Sequence, residues 1–126
     1  MKNGLRHILI VDDEPVVLFG LKKCLSTKGV RIETAETYQT AIELIRKRKF
    51  AVIIADLRLT GVQGEEGLDL LSFIKKEHPQ IGFILITGYG SVKVKEKALS
   101  GGADYYLEKP VSAFALQEAL IELGID

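Results

Sequence analysis

The feature that most constrains the fold of this chain is an alternation of short apolar runs with segments of helical periodicity. Residues 51–55 are continuously apolar, and residues 6–11 form a similar short run. A run without polar alternation is typical of a strand covered on both faces, as in a parallel sheet. Residues 30–34 alternate apolar and polar side chains, which predicts a half-exposed strand at a sheet edge. Two further strands are predicted at 81–86 and 103–107.

Helical segments separate these strands. The first is predicted to begin near Pro15, because the missing N–H of proline is tolerated in the first turn of a helix, and to be closed by Gly29. Thr37 has a side chain suited to capping the second helix. The remaining helices are predicted at about 68–78, 90–99 and 112–123.

Five strands alternating with five helices predict an α/β fold, a doubly wound five-stranded parallel sheet with helices on both faces. Right-handed crossovers limit the topology and favour the strand order 2-1-3-4-5. With 126 residues, 47% of them hydrophobic, the chain is long enough for one core, so we expect a single domain over 1–126.

Charge and cysteine content exclude several functions. Seventeen basic and seventeen acidic residues cancel, so the chain lacks the basic surplus that drives direct nucleic-acid binding. Cys24 is the single cysteine, which rules out an internal disulfide and favours a reducing compartment. No apolar stretch is long enough for a membrane span or a signal-peptide core. The sequence therefore predicts a cytoplasmic protein.

Four ionisable residues follow directly after predicted strands or lie close to their ends. Asp12 and Asp13 follow the first strand, Asp56 follows the third, and Lys109 lies just beyond the fifth. In this topology the direction in which strands are added to the sheet reverses between the first and third strands, and ligands bind beyond the carboxyl ends of the strands at that switch point. We therefore expect these side chains to converge.

The residue types at this edge are suited to phosphoryl chemistry. Carboxylates are ligands that Mg²⁺ prefers, and a bound cation relieves the repulsion among three of them. Asp56 stands at the end of a buried strand and is the predicted nucleophile, because a carboxylate can form an acyl phosphate. Lys109 would offset charge on the phosphoryl oxygens, and the Thr87 hydroxyl could donate to them.

On these residues the chain closely resembles the receiver domain of bacterial two-component response regulators, which has a flavodoxin-like fold. The resemblance covers the chain from about Arg6 to its end. The motifs that carry it are Ile8-Leu9-Ile10-Val11-Asp12-Asp13-Glu14-Pro15, Asp56-Leu57-Arg58, Ile86-Thr87-Gly88-Tyr89-Gly90-Ser91 and Gly102-Ala103-Asp104-Tyr105-Tyr106-Leu107-Glu108-Lys109-Pro110. The third motif is also similar to receivers attached to transcription activators of the nitrogen-regulation type.

The resemblance implies that a sensor histidine kinase phosphorylates Asp56. It implies a Mg²⁺ site made by the carboxylates of Asp12, Asp13 and Asp56 and the backbone carbonyl of Arg58. It also implies that Lys109 contacts the phosphate and that the Lys109–Pro110 peptide bond is cis. Thr87 and Tyr106 would form a switch pair that reshapes the face of helix 4, strand 5 and helix 5. The expected output is homodimerisation or contact with an output domain in a longer protein, from a signalling domain that is not a turnover enzyme.

The loop after the acceptor departs from the family pattern. Receivers usually have proline four residues after the acceptor, where this chain has Thr60. The loop 60–67 is about three residues longer than usual, and Glu65-Glu66-Gly67 is the predicted insertion. Kinase docking or the access of hydrolytic water is expected to differ, while phosphorylation itself should survive.

Two other functions fit parts of the pattern. A receiver-like module for dimerisation or scaffolding would have the same fold without phosphorylation, but it has no need of the acidic set and the lysine. A haloacid-dehalogenase-type phosphatase has its nucleophile after the first strand and a second aspartate two residues later. Here Glu14 occupies that second position. Taken alone, Asp12 and Asp13 could simply favour the N-terminus of the first helix.

Overall fold

A computed structural model describes residues 6–27, 29–59, 64–88 and 90–125. Within these ranges strands and helices alternate strictly along the chain. The strands are β1 (Arg6–Val11), β2 (Val30–Ala35), β3 (Val52–Asp56), β4 (Gly82–Thr87) and β5 (Tyr105–Glu108). The helices are α1 (Pro15–Leu25), α2 (Tyr38–Lys47), α3 (Glu66–Glu77), α4 (Val92–Ser100) and α5 (Ala113–Glu122).

The five strands form one parallel sheet in the order β2-β1-β3-β4-β5. The predicted α/β class, strand order and edge position of β2 are therefore confirmed. The register between β1 and β3 pairs Val11 with Ala55. Because Asp12 and Asp56 are the next residues in each chain segment, this register brings them side by side at the carboxyl edge.

Alternate side chains of the central strands enter two separate hydrophobic layers. Ile8 and Ile10 of β1 pack with α1 and α5, whereas Leu9 and Val11 pack with α2, α3 and α4. All four are fully buried. Burial on both faces explains why β1 and β3 lack polar alternation, and it holds their ends in fixed positions.

The helix boundaries differ from the predicted ones at a few places. α1 ends at Leu25, with Ser26 as its C-cap, and Gly29 lies beyond it with a φ of +85° in the turn that precedes β2. The predicted cap Thr37 is confirmed, since its side chain accepts a hydrogen bond from the Thr40 N–H at 3.0 Å. Among the described residues, every helix is too short or too polar to cross a membrane.

Candidate acidic site at the carboxyl edge of the sheet

Three carboxylates meet at the point where β1 and β3 end. One oxygen each from Asp12, Asp13 and Asp56 lie within 4.8 Å of one another. Asp12 is fully buried and Asp56 is 5% exposed, whereas Asp13 is exposed to solvent. Two acids at the base of the cluster and one at its mouth leave access from one side.

Lys109 is the cation that faces this cluster. Its Nζ lies 2.9 Å from Asp12 Oδ2 and 3.5 Å from Asp56 Oδ2. The Lys109 side chain is 20% exposed, so the pairing takes place largely out of water. The convergence of four residues that lie up to 97 positions apart in the sequence agrees with the predicted meeting of strand ends.

The surroundings of the acids change their protonation. Burial, assisted by the Asp12 charge and opposed by Lys109, raises the pKa of Asp56 to about 6. Burial also raises the pKa of Asp13, with contributions from Asp12 and Glu14. For Lys109 burial lowers the pKa, but the hydrogen bond to Asp12 and the nearby carboxylates outweigh it, so its pKa is raised overall. The lysine therefore stays charged at neutral pH, and most of Asp56 is ionised.

Backbone hydrogen bonds hold each strand end in place. The Leu57 N–H donates to the Ile86 carbonyl at 3.0 Å, which continues the β3–β4 pairing past Asp56. The Lys109 N–H donates to the Thr87 carbonyl at 2.9 Å and so ties the lysine backbone to the end of β4. The Lys109–Pro110 peptide bond is cis, as the resemblance implies.

The other predicted site residues lie around the same edge. Thr87 is fully buried at the end of β4. Arg58 lies two residues beyond Asp56, in the connection that leaves β3. Tyr106 is half-buried in β5 against the layer that contains α4. Burial raises the pKa of Tyr106, and the Glu108 charge adds to this effect. The roles of Thr87, Tyr106 and the Arg58 carbonyl stay predictions.

The start of α3 is the region where the sequence interpretation needs revision. Glu66 and Gly67, predicted to lie in an inserted loop, form the first turn of α3. The Gly67 N–H donates to the Leu57 carbonyl at 2.8 Å, and a methyl group on Gly67 would lie 2.8 Å from the Leu57 Cα and closer still to the Asp56 carbonyl oxygen. Glycine is therefore required where α3 packs on the acceptor strand. Thr60 and the rest of segment 60–63 lie outside the described residues.

Two further residues at the site have contacts that the sequence motifs do not predict. Glu14 Oε1 lies 3.4 Å from Lys109 Nζ. Gly90 lies against the Tyr106 hydroxyl so closely that a Cβ on Gly90 would overlap it. Glu14 and Gly90 are both part of the quoted motifs, but a contact between residues far apart in the chain leaves no signal in spacing.

The donor set fits a hard divalent cation. Mg²⁺ prefers oxygen ligands and is usually held by one or two carboxylates together with water and phosphoryl oxygens. Three carboxylate oxygens that converge within 4.8 Å, with one acid open to solvent, provide such ligands. Carboxylates so close together also repel one another, and a cation between them would relieve that repulsion.

The family model and the relatives found by comparison with known proteins agree on one family. A family model described as the response regulator receiver domain matches residues 8–121. The photosynthetic apparatus regulatory protein RegA of Rhodobacter capsulatus is 30% identical over 119 residues, which make up 94% of this chain and 63% of that protein. The nitrogen assimilation regulatory protein NtrX of Azorhizobium caulinodans is 36% identical over 106 residues, 84% of this chain and 23% of that protein. The chain thus spans less than two thirds of either relative.

Solved structures agree with this result. A response regulator receiver domain protein (CheY-like) from Methanospirillum hungatei has a TM-score of 0.86 at 34% identity, covering 94% of this chain and 93% of that one. A response regulator from Burkholderia pseudomallei, solved with a phosphorylated aspartic acid, calcium ion and citrate, has a TM-score of 0.81 at 30% identity, with coverage of 91% and 66%. The beryllofluoride-activated NtrC4 receiver domain dimer has a TM-score of 0.81 at 34% identity, with coverage of 94% and 98%. This chain belongs to the response regulator receiver domain family, the signalling domain of two-component systems.

Proposed function

We propose that Asp56 is the phosphoacceptor of this receiver domain and that the donor is a phosphohistidine on a sensor histidine kinase. The observation that carries the proposal is the position of the Asp56 carboxylate, which is buried beside two other acids and 3.5 Å from the Lys109 ammonium. A carboxylate in such a place is a nucleophile whose product, an acyl phosphate, would find a cation ready to bind it.

The transfer would use the side chains of Asp56 and Lys109. An oxygen of ionised Asp56 attacks the phosphorus, and the new O–P bond forms as the P–N bond to the kinase imidazole breaks. The electron pair of the P–N bond stays on the ring, and because the other ring nitrogen of the protonated phosphohistidine already carries a proton, the imidazole leaves neutral. Because the pKa of Asp56 is raised only to about 6, most of this carboxylate is ionised at neutral pH. Lys109, held by Asp12 at 2.9 Å, would pair with a phosphoryl oxygen as negative charge develops there.

Mg²⁺ is the cofactor that the donor set favours. Asp12, Asp13 and Asp56 would hold it, together with the backbone carbonyl of Arg58. When bound, the ion neutralises charge on the phosphoryl group and on the acids that face it. Asp12 and Asp56 also contact Lys109, so the lysine and the cation would share the two buried carboxylates.

Phosphorylation would be read out through Thr87 and Tyr106. Thr87 is buried at the same edge, and its carbonyl accepts from the Lys109 N–H. Tyr106 packs against the core layer that contains α4, and its hydroxyl lies beside Gly90, two residues before that helix begins. We infer that a phosphoryl group on Asp56 draws the Thr87 hydroxyl towards it. The Tyr106 side chain then shifts to a second conformation, which reshapes the surface of α4, β5 and α5.

Partners follow from this surface and from the length of the relatives. The NtrC4 receiver domain was solved as a dimer, and the relatives RegA and NtrX are longer than this chain. We therefore propose that residues 1–126 act as one receiver domain that dimerises through α4, β5 and α5 or controls an output domain, without turnover of a substrate. A cytoplasmic location stays a prediction from the sequence.

Intact-mass spectrometry of the full chain incubated with Mg²⁺ and acetyl phosphate tests the assignment. We expect one added phosphoryl group on the wild type and none on Asp56→Asn. Asp69→Asn is the matched control, because it removes an exposed carboxylate from the first turn of α3 without touching the cluster. Chelation of Mg²⁺ by EDTA should abolish the adduct.

An adduct on Asp56→Asn equal to that on the wild type would contradict the assignment. No adduct and no Mg²⁺-dependent change on the wild type would favour the dimerisation or scaffold module instead. Sustained turnover of a generic phosphomonoester would favour a phosphatase.

A further inference from the structure

We propose that Glu14 is a positioning residue that competes with the phosphoryl group for the Lys109 ammonium, an inference that rests on the proposed phosphorylation of Asp56. Among the residues that the structure describes, three carboxylates contact Lys109 Nζ: Asp12 at 2.9 Å, Glu14 at 3.4 Å and Asp56 at 3.5 Å. Asp12 and Asp56 belong to the converging group that could hold a cation, and Glu14 does not. Glu14 therefore pairs with the lysine from outside that group.

The backbone of Glu14 is fixed, which gives its side chain a defined origin. Its N–H donates to Asp12 Oδ1 at 3.0 Å, and its carbonyl accepts from the N–H groups of Val17 and Leu18 at the start of α1. Glu14 is the N-cap residue of α1, yet its side chain makes no capping hydrogen bond to that helix. The carboxylate contacts Lys109, 95 positions away in the sequence.

An acidic residue next to a helix N-terminus has an ordinary explanation, because the helix dipole favours it. The dipole does not account for a contact with a lysine at the end of β5. The Glu14 side chain is 60% exposed, whereas the lysine it contacts is 20% exposed. Glu14 thus draws the ammonium towards the mouth of the site, while Asp12 and Asp56 hold it at the buried base.

The consequence for phosphoryl binding follows from charge. A phosphoryl group on Asp56 needs the Lys109 ammonium, and a carboxylate already paired with that ammonium must give it up. An ion pair exposed to this extent is weak, so its removal should change rate or affinity by about two- to fivefold. We therefore expect loss of the Glu14 contact to speed phosphorylation and to tighten binding of a phosphoryl mimic.

The experiment compares Glu14→Gln, which removes the charge, with Glu14→Asp, which keeps the charge but shortens the side chain by one methylene group. Glu43→Gln, an exposed acid on α2, is the control. The readouts on the full chain with saturating Mg²⁺ are the rate constant of phosphorylation by acetyl phosphate and the dissociation constant of beryllofluoride from NMR titration. Urea unfolding checks that each variant is folded.

Both Glu14→Gln and Glu14→Asp should phosphorylate about two- to fivefold faster and bind beryllofluoride more tightly by a similar factor, with Glu43→Gln unchanged. If Glu14→Asp behaves like the wild type and only Glu14→Gln is faster, then general repulsion of an anionic donor explains the effect and the positioning role is wrong. Equal values for all variants, with the wild type still phosphorylated on Asp56, would also overturn this role and leave the proposed function intact. A wild type that takes no phosphoryl group would overturn both.

Discussion

The interior strands β1 and β3 and the edge strand β5 present the charged residues at their carboxyl ends in different ways. Every residue of β3 is buried, and β1 is buried from Ile8 onwards, so Asp12 and Asp56 stand on strands covered from both faces. In β5 the side chains from Tyr105 to Leu107 are half-exposed and Glu108 is exposed. Lys109 is delivered by this edge strand and is tied to β4 through its backbone.

This difference indicates that the interior strands and the edge strand have different roles at the site. The two buried acids, Asp12 and Asp56, lie at the ends of strands covered on both faces, where close packing opposes displacement. The cation and the tyrosine stand on a strand with a partner on one side only and with side chains that reach solvent. We infer that the central strands fix the acceptor geometry while β5 is free to change its contacts with α4.

The largest effect is expected from a substitution in the core beneath Asp56. Ile54 of β3 is fully buried, so Ile54→Ala should lower the free energy of unfolding by about 2–5 kcal/mol through lost transfer energy and a cavity. Leu107→Ala in β5 should have a smaller effect, about 1–2 kcal/mol, because that side chain is only partly buried. Urea unfolding of both variants measures the difference, and equal losses would remove the contrast between the strands.

The next effect concerns the charge at the end of β3. The pKa of Asp56 is raised from 3.8 to about 6, so the folded state binds this proton more tightly than the unfolded chain. The stabilisation is fully present below pH 4 and is lost as the pH rises through about 6. Asp56→Asn should therefore be more stable than the wild type by about 2–3 kcal/mol at pH 7 in EDTA. The gain should vanish below pH 4.

Unfolding measured from pH 3.5 to 8 in EDTA follows this dependence. If the wild type is as stable at pH 7 as Asp56→Asn, then burial of the ionised Asp56 carboxylate does not destabilise the folded state. Saturating Mg²⁺ should reduce the difference, because ligand binding to the folded state stabilises only the protein that binds it.

A moderate effect is expected where α3 packs on β3. Gly67→Ala should lower stability by about 1–3 kcal/mol, because its methyl group would press on the backbone of Asp56 and Leu57. Gly20→Ala in α1 is the matched control, since nothing lies within 4 Å of its Cβ position, and it should raise stability by about 0.5–1 kcal/mol. Thermal unfolding distinguishes the two. Similar shifts for both variants would mean that α3 does not bear on the acceptor strand.

The smallest effect is expected at the surface that joins α3 to α4. Lys97 Nζ lies 3.5 Å from Glu65 Oε1, and both side chains are about half exposed. Such a pair contributes little, so Glu65→Gln should change the free energy of unfolding by less than about 0.5 kcal/mol. A larger loss in urea unfolding would indicate that α4 is anchored more firmly than the exposed pairing implies.

Much of the fold was determined by local pattern in the sequence. The apolar runs at 6–11 and 51–55 predicted two buried parallel strands, and the alternation of strands with helices, together with right-handed crossovers, predicted the strand order. Both predictions agree with the structure. An uninterrupted apolar run identifies such a strand because burial on both faces of a sheet demands apolar side chains at every position. The same pattern placed Asp12, Asp13, Asp56 and Lys109 at strand ends, and topology alone then brought them to one edge.

Only the tertiary structure decided the contacts between segments that are far apart in the sequence and share no periodicity. Glu14 pairs with Lys109 across 95 positions, and Gly67 packs on the Asp56 backbone although the sequence placed it in an inserted loop. The pKa of Asp56 likewise depends on burial and on the charges of Asp12, which follows β1, and Lys109, which follows β5. Distances and desolvation arise from packing in three dimensions, so spacing along the chain carries no record of them.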